Sequence, residues 1–340
     1  MLLYLDKLTK INRYIVRSLV TIRKIDAVQP IEKADFVETV IIGGWKVVVK
    51  TSDNFKAGDL VVYGEIDSIF PVDNPKFTFL EGKPLKTKRM RGVISQGIVF
   101  PLSILPKGDY KKGQDVTELL GVTKHKPPLP TNTQAKGQFP LFIPKTDLER
   151  VQNLSNDIKE YCDTKYFFGI QEKLDGTSIT IYYDYLNQES GICTLDFDLH
   201  LTWDNIYTLA GRPILKQLIK YCKEQCRSIA LQGELIGEKI QGNKYNIEGQ
   251  KIYFFQAYDI DDKKYLDNVE FHLLLKKLDL VSVPCLDPVS SLVTIDKWLE
   301  FTQGKSKLNP KVERKGIVAR TFANDFCFSI INNNFLLKEK

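Results

Sequence analysis

Glu172-Lys-Leu-Asp-Gly-Thr-Ser178 lies between an apolar run, Tyr166-Phe-Phe-Gly-Ile170, and an alternating one, Ile179-Thr-Ile-Tyr-Tyr183. The flanks read as strands, so the stretch is a strand end, a turn and a strand start. A lysine at a strand end becomes a nucleophile when desolvation or nearby cations lower its pKa. As a neutral amine it can attack the α-phosphorus of a nucleoside triphosphate and hold the nucleotide as a phosphoramidate. The glycine lets backbone come close to a nucleotide. Lys-x-Asp-Gly is also good turn chemistry, and alone it reads as a hairpin turn.

Further stretches extend the pattern. Leu231-Gln-Gly-Glu234-Leu-Ile236 is an apolar strand carrying one acid. Lys251-Ile-Tyr-Phe-Phe-Gln-Ala-Tyr258-Asp259-Ile260 is an aromatic strand ending in an acid. Gly316-Ile-Val-Ala-Arg320 is a short β-rich run. With Lys173 these resemble, in order and approximate spacing, the nucleotidyltransferase motifs of polynucleotide ligases and capping enzymes. The chain is most similar to ATP-dependent RNA ligases with an N-terminal OB-type domain. Phe139-Pro-Leu-Phe-Ile-Pro-Lys-Thr-Asp-Leu-Glu-Arg-Val-Gln-Asn153 and Lys88-Arg-Met-Arg-Gly-Val-Ile-Ser-Gln-Gly97 point to that subgroup.

A chain of 340 residues with 43% hydrophobic content can fill two cores. Lys and Arg outnumber Asp and Glu by 20 to 14 over residues 1–125 and balance at 28 each over 126–340. The net charge of +6 thus sits in the N-terminal part, where it suits a polyanion or a basic solvated face. Six cysteines without Cys-x-x-Cys, and three histidines, argue against a zinc site and favour a reducing compartment. The apolar start is stopped by Asp6 and Lys7, too soon for a signal peptide. No apolar run is long enough to span a membrane. A soluble intracellular monomer, cytoplasmic or nuclear, is expected.

The predicted fold class is α+β. An N-terminal OB-like β-barrel (1–121) precedes a linker rich in Pro, Thr and Asn (122–138). A nucleotidyltransferase domain of antiparallel sheets with flanking helices, ATP-grasp-like, follows over 139–340. Strands are expected within 14–25, 36–42, 45–50, 60–69 and 94–101, separated by turns such as Gly43-Gly44. Helices are expected over 146–162, capped by Thr146 or Asp147, and around 205–226, 269–279 and 294–303. Lys83, Lys86, Lys88, Arg89 and Arg91 crowd one segment and are the candidate RNA contacts.

The resemblance implies roles. Lys173 takes AMP from ATP, with Mg2+ or Mn2+ as cofactor, and RNA is the partner. Glu172, Asp175 and Gly176 flank the nucleotide. Glu234 contacts the ribose or a metal, or else makes a structural salt bridge. Tyr258 stacks on adenine, sharing a strand face with Phe254 and Gln256 under period-two alternation. Asp259 binds metal or caps the strand end. Arg150 meets triphosphate oxygens or lies on a helix surface. Val318 floors the base pocket.

Three positions depart from the family pattern. Leu195 stands in place of an arginine, Lys315 of a metal-holding glutamate, and Ser329 of a lysine that touches the α-phosphate. Glu313 and Lys338 are the candidate substitutes, for metal and phosphate. Loss of a positioned cation at a phosphoryl-transfer centre costs orders of magnitude in rate. The alternative is therefore an inactive RNA-binding protein on a ligase scaffold. A capping-type guanylyltransferase ranks last, because its OB domain would follow the core, and the last core strand here falls just before Lys340.

Overall fold

The computed structural model describes residues 18–125, 135–154, 158, 167–290, 294–321, 324 and 326–338. The N-terminal part contains Val20–Lys24 (β1), Ala27–Ile31 (β2), Ala34–Ile42 (β3), Trp45–Lys50 (β4), Leu60–Gly64 (β5), Ser68–Ile69 (β6), Lys88–Met90 (β7), Val93–Ser95 (β8), Ile98–Pro101 (β9) and Thr123–Lys124 (β10). They form sheets β1-β5-β9 and β2-β3-β4 and the pairs β7-β8 and β10-β6. Alternation in β5 makes two cores. Val61 and Tyr63 join Trp45, Val47 and Ile42, while Val62 joins Phe70, Phe77 and Phe100. Each expected range contains a strand, that over 60–69 divided into β5 and β6, while 14–17 lie outside the described residues; β2 is an addition that pairs with β3.

The C-terminal part contains Ala135–Gln138 (β11), Phe167–Lys173 (β12), Thr177–Asp184 (β13), Glu189–Cys193 (β14), Phe197–Leu199 (β15), Ile206–Gln225 (α1), Ile229–Gly237 (β16) and Gln250–Asp259 (β17). Lys264–Tyr265 (β18), Asn268–Lys277 (α2), Cys285–Ser290 (β19), Ile295–Phe301 (α3), Gly316–Thr321 (β20), Cys327–Ile331 (β21) and Asn333–Leu336 (α4) follow. A seven-stranded sheet runs β11-β15-β14-β13-β16-β17-β18 and a four-stranded sheet runs β19-β12-β20-β21.

Each sheet buries one face. Ile179, Ile181, Leu231, Leu235 and Phe254 pack with Leu215 and Leu218 of α1 and Phe271 and Leu274 of α2. Phe168, Ile170, Ile317 and Phe328 pack with Trp298 of α3, whose ring meets those of Phe168 and Phe328 edge-on at 5.6 and 5.2 Å. The other two faces look at each other. Leu174-Asp175-Gly176 carries the chain from β12 of one sheet to β13 of the other, so both sheets converge on that turn.

Two expectations change. The helix expected over 146–162 is not present over 146–150. That stretch makes an isolated parallel bridge, Arg150 to Ser329, and then a short 3-10 turn at Val151–Asn153. Thr146 is bonded across the cleft to the Ser178 hydroxyl (3.0 Å) and Asp147 pairs with Lys124, so neither caps a helix. Most of the remainder lies outside the described residues. The ends of the expected linker are also ordered: β10 pairs with β6, and β11 with β15. The middle, 126–134, lies outside the described residues.

Asn153 joins the two parts. Its Oδ1 accepts from Arg23 Nη2 (3.0 Å) and Trp45 Nε1 (2.7 Å), and its Nδ2 donates to Glu65 Oε1 (2.6 Å).

Candidate active site

The register across the four-stranded sheet fixes which side chains face the cleft. Lys173 lies opposite Gly316, which lies opposite Ile331; Gln171 lies opposite Val318, which lies opposite Ser329. Opposed residues share a face. The cleft face therefore carries Lys173, Gln171, Val318, Arg320 and Ser329, while Glu172 points the other way. On the seven-stranded sheet Ser178, Glu234 and Tyr253 form one rank and Thr180, Gln232 and Gln256 another.

Lys173 thus ends β12 with its amine within electrostatic reach of Glu234. Burial, with Lys315 and Arg150 adding to it, pulls the amine down to about 8 against the opposing pull of Glu234. Burial pushes the Glu234 carboxyl up, resisted by Lys173, Lys315 and the Gly176 N–H, which donates to Glu234 Oε1 at 3.0 Å.

The turn is locked by contacts that only glycine permits. A Cβ on Gly176 would stand 2.4 Å from the Leu235 carbonyl oxygen and 2.9 Å from Glu234 Cγ. Asp175 donates its N–H to the Tyr245 hydroxyl oxygen at 2.6 Å. Its carboxylate takes Lys315 at 2.7 Å on Oδ1 and Lys244 at 2.5 Å on Oδ2. Burial raises that carboxyl, but the two ammonium groups outweigh burial and hold it below the usual range.

Behind the lysine lies an apolar cavity of about 220 Å3, lined by Gly169, Gln171, Phe255, Gln256, Phe271 and Arg320 among others. Gln171 and Gly169 are two and four residues from Lys173, about 7 and 13 Å along the strand. The cavity is polarised in one direction. Gln232 Nε2 donates to the Pro144 carbonyl (2.8 Å), so its Oε1 must accept, and it takes Gln256 Nε2 (2.5 Å). That leaves Gln256 Oε1 an acceptor, buried and without a hydrogen-bond partner among the described residues.

Several sequence-predicted residues are elsewhere. A bulge between Gln232 and Gly233 puts an extra residue in β17, so Phe254 turns into the helix-backed core while Phe255 lines the cavity. Tyr258 packs in a separate cluster with Phe139 and Tyr182, its ring against Tyr265 at 5.1 Å. The aromatic residue of β17 that lines the cavity is Phe255. Asp259 pairs with Arg227 (2.6 Å) and receives the Asp262 N–H. It lies opposite Ile229, five residues and about 16 Å from Glu234 along β16, too far to share a metal with it. Glu313 is paired with Lys305 (2.8 Å) and Lys338 (3.8 Å). The acid expected at the metal and the lysine expected at the phosphate thus pair with each other. Glu172 accepts from the Lys307 N–H (2.8 Å) on the far face. Arg150 lies near Lys173 and reaches Asp67 of the N-terminal part at 3.7 Å. Lys83, Lys86, Lys88, Arg89 and Arg91 lie on and before the β7–β8 hairpin, where Lys88, Arg89 and Arg91 are exposed and Lys83 and Lys86 stand at the surface beside them. Spacing alone does not signal Lys244, Phe255 or Arg320.

Comparison with known proteins agrees with this geometry. Residues 19–102 match a family described as an OB-fold domain, and residues 167–338 match one described as RNA ligase. A comparison with curated proteins returns no match. Among solved structures, a mutant of Naegleria gruberi RNA ligase with ATP and Mn is 38% identical with a TM-score of 0.87, covering 94% of this chain and 99% of that one. The same ligase with PPi gives 38% and 0.87 over 95% and 99%. A mutant with AMP and Mn gives 38% and 0.88 over the same shares. No described helix is long and apolar enough to cross a membrane. An OB-fold domain followed by two antiparallel sheets that meet at a Lys-x-Asp-Gly turn is the architecture of the RNA ligases, and this chain belongs to that family.

Proposed function

We propose that this chain joins RNA 3′-hydroxyl and 5′-phosphate ends at the expense of ATP, with Lys173 as the residue that carries AMP. The observation behind the assignment is the cleft itself: an amine lowered to about 8, faced by Glu234, with a nucleobase-sized cavity at the right distance. In the first step Nζ of Lys173 bonds to the α-phosphorus, the bond to the β-phosphate oxygen breaks, and pyrophosphate leaves with the electron pair. AMP then passes to an RNA 5′-phosphate, and a 3′-hydroxyl displaces it.

The cavity fits adenine. Gln256 Oε1 needs a donor, and the exocyclic amine of adenine is one, whereas guanine offers an oxygen there. Phe255 supplies the stacking surface and Gln171 the strand edge, while Val318 lies on the same strand face two residues before the cavity-lining Arg320. Asp175 and Gly176 shape the turn beside the sugar and phosphate, and Arg150 adds positive charge. Among the described residues no three metal-ligating side chains cluster. An Mg2+ or Mn2+ ion would use one or two carboxylates with waters and substrate phosphates. Glu234 is the carboxylate placed for it, and the ion would spread phosphate charge.

The test is incubation with α-labelled ATP or GTP, followed by denaturing electrophoresis. Label on the protein from ATP, with at least about 10-fold less from GTP, is expected. No label from ATP over a range of divalent metals and pH would sink the proposal in favour of the inactive RNA-binding protein.

The pH dependence has a defined sign. The neutral amine attacks, so single-turnover labelling should rise about tenfold per unit below the Lys173 pKa and level off above about 8. A rate flat from pH 6 to 9 would contradict this role.

The cations from Lys83 to Arg91 are the proposed RNA contacts of the N-terminal part. Replacing Lys86, Lys88 and Arg89 with Glu should weaken binding to single-stranded RNA. It should also reduce the log–log salt slope by about 0.7 for each phosphate that is no longer neutralised. An unchanged slope, measured by fluorescence anisotropy, would place the RNA path elsewhere.

A further inference from the structure

Lys315 and Lys244 reach one buried carboxylate from different sheets. Lys315 immediately precedes β20, and Lys244 lies in the connection from β16 to β17. Asp175 holds one on each oxygen, at 2.7 and 2.5 Å. The Phe335 ring lies beside both ammonium groups, 4.3 Å from Lys244 Nζ and 6.0 Å from Lys315 Nζ. The Lys315 ammonium also bears on the Lys173 amine, as does Arg150, so cations converge on the attacking group. Like charges gathered in a partly buried cleft are costly unless an anion joins them. Lys315 is the better placed to receive it, because its charge is felt at both Lys173 and Glu234. Ser329 offers no cation there: it is buried and its hydroxyl is bonded to the Glu149 carbonyl at 3.2 Å.

We infer that Lys315 holds the α-phosphate for attack by Lys173, and that Asp175 and Lys244 position it. The inference rests on Lys173 being the residue that takes AMP. As the Nζ–phosphorus bond forms and pyrophosphate departs, negative charge grows on the non-bridging α-oxygens, and a fixed ammonium stabilises it. The surplus proton of the attacking amine goes to solvent. The cation that the family carries on the strand of Ser329 has in this chain moved to the neighbouring strand, at the cost of the acid usually found at 315.

The test is single-turnover labelling of the full chain with α-labelled ATP. Lys315→Gln should slow the labelling step about 100-fold or more while shifting the ATP concentration for half-saturation by less than about threefold. Lys315→Arg should recover part of the rate, and Lys315→Glu should be the slowest variant. Lys244→Gln should cost less, about 5- to 20-fold, because it acts through Asp175. If Lys315 merely neutralises Asp175, the double variant Lys315→Gln with Asp175→Asn should restore both melting temperature and rate; restored melting without restored rate is expected. Lys315→Gln labelling within threefold of the wild type, or Lys315→Glu labelling faster than the wild type, overturns the inference and leaves Lys173 in its role. A wild type that takes no label overturns both.

Discussion

Replacing Lys173 with Ala should remove the AMP adduct entirely and leave the last chemical step standing. Intact-mass measurement after ATP treatment should show one AMP on the wild type and none on the variant. The loss in overall sealing of a 5′-phosphorylated RNA should be about 10,000-fold or more, since the nucleophile itself is gone. RNA that already carries AMP on its 5′-phosphate does not need Lys173 to form a new bond to phosphorus. The variant should therefore still seal such RNA at a measurable rate, through Glu234, the turn and the RNA-binding part. An adduct retained by Lys173→Ala would move the nucleophile to another lysine, Lys244 or Lys315 being the nearest to examine.

Gly176→Ala should also be severely damaging, although it adds one methyl group and no charge. The new carbon would meet backbone oxygen at 2.4 Å and a methyl of Ile236 at 2.5 Å. Neither neighbour is the end of a long flexible side chain, and the oxygen belongs to the β16 backbone. The start of β13 must therefore move away from β16, at about 1–3 kcal/mol. That movement breaks the 3.0 Å bond from Gly176 N–H to Glu234 and displaces Asp175. A shift of about 1 Å at such a centre costs about 100-fold in rate. Labelling should fall by about that factor, with a lower melting temperature. Labelling at the wild-type rate would show that the turn is less constrained than its contacts require.

Much of the site is legible in the sequence. The Lys-x-Asp-Gly turn, the strand of Glu234 and the run from Gly316 are each short and strongly patterned, and the structure brings them to one cleft. Three of the four expected helices stand where apolar periodicity puts them. The failures have separate physical causes. Residues 146–150 have helical-looking spacing, but a strand bridge to Ser329 and a cross-cleft bond from Thr146 claim them. Counting in twos along β17 puts Phe254 on the face of Gln256 and Tyr258, but the bulge at 255 turns Phe254 into the core, and Tyr258 is taken up by packing with Phe139 and Tyr182. Glu313 and Lys338 look like substitutes because nothing in the sequence reveals that they meet each other. Lys244 lies in Gln-Gly-Asn-Lys-Tyr245, where a lysine reads as a solvated turn residue, and only the folded chain brings it to Asp175.

The bulge in β17 has a consequence for how such a pocket changes over generations. Upstream of it, odd and even positions are assigned to core and cleft in one sense; downstream, in the other. Phe254 and Phe255 are neighbours in the gene but meet different surroundings, one the helices behind the sheet and the other the cavity. Loss of residue 255 would remove the pocket ring itself and restore plain alternation, with Phe254 still in the core and Gln256 still on the cleft face. Point changes at 255 or 256 likewise leave the core's side of the strand intact. The wall of the cavity can therefore be altered without disturbing the ring that packs against the helices.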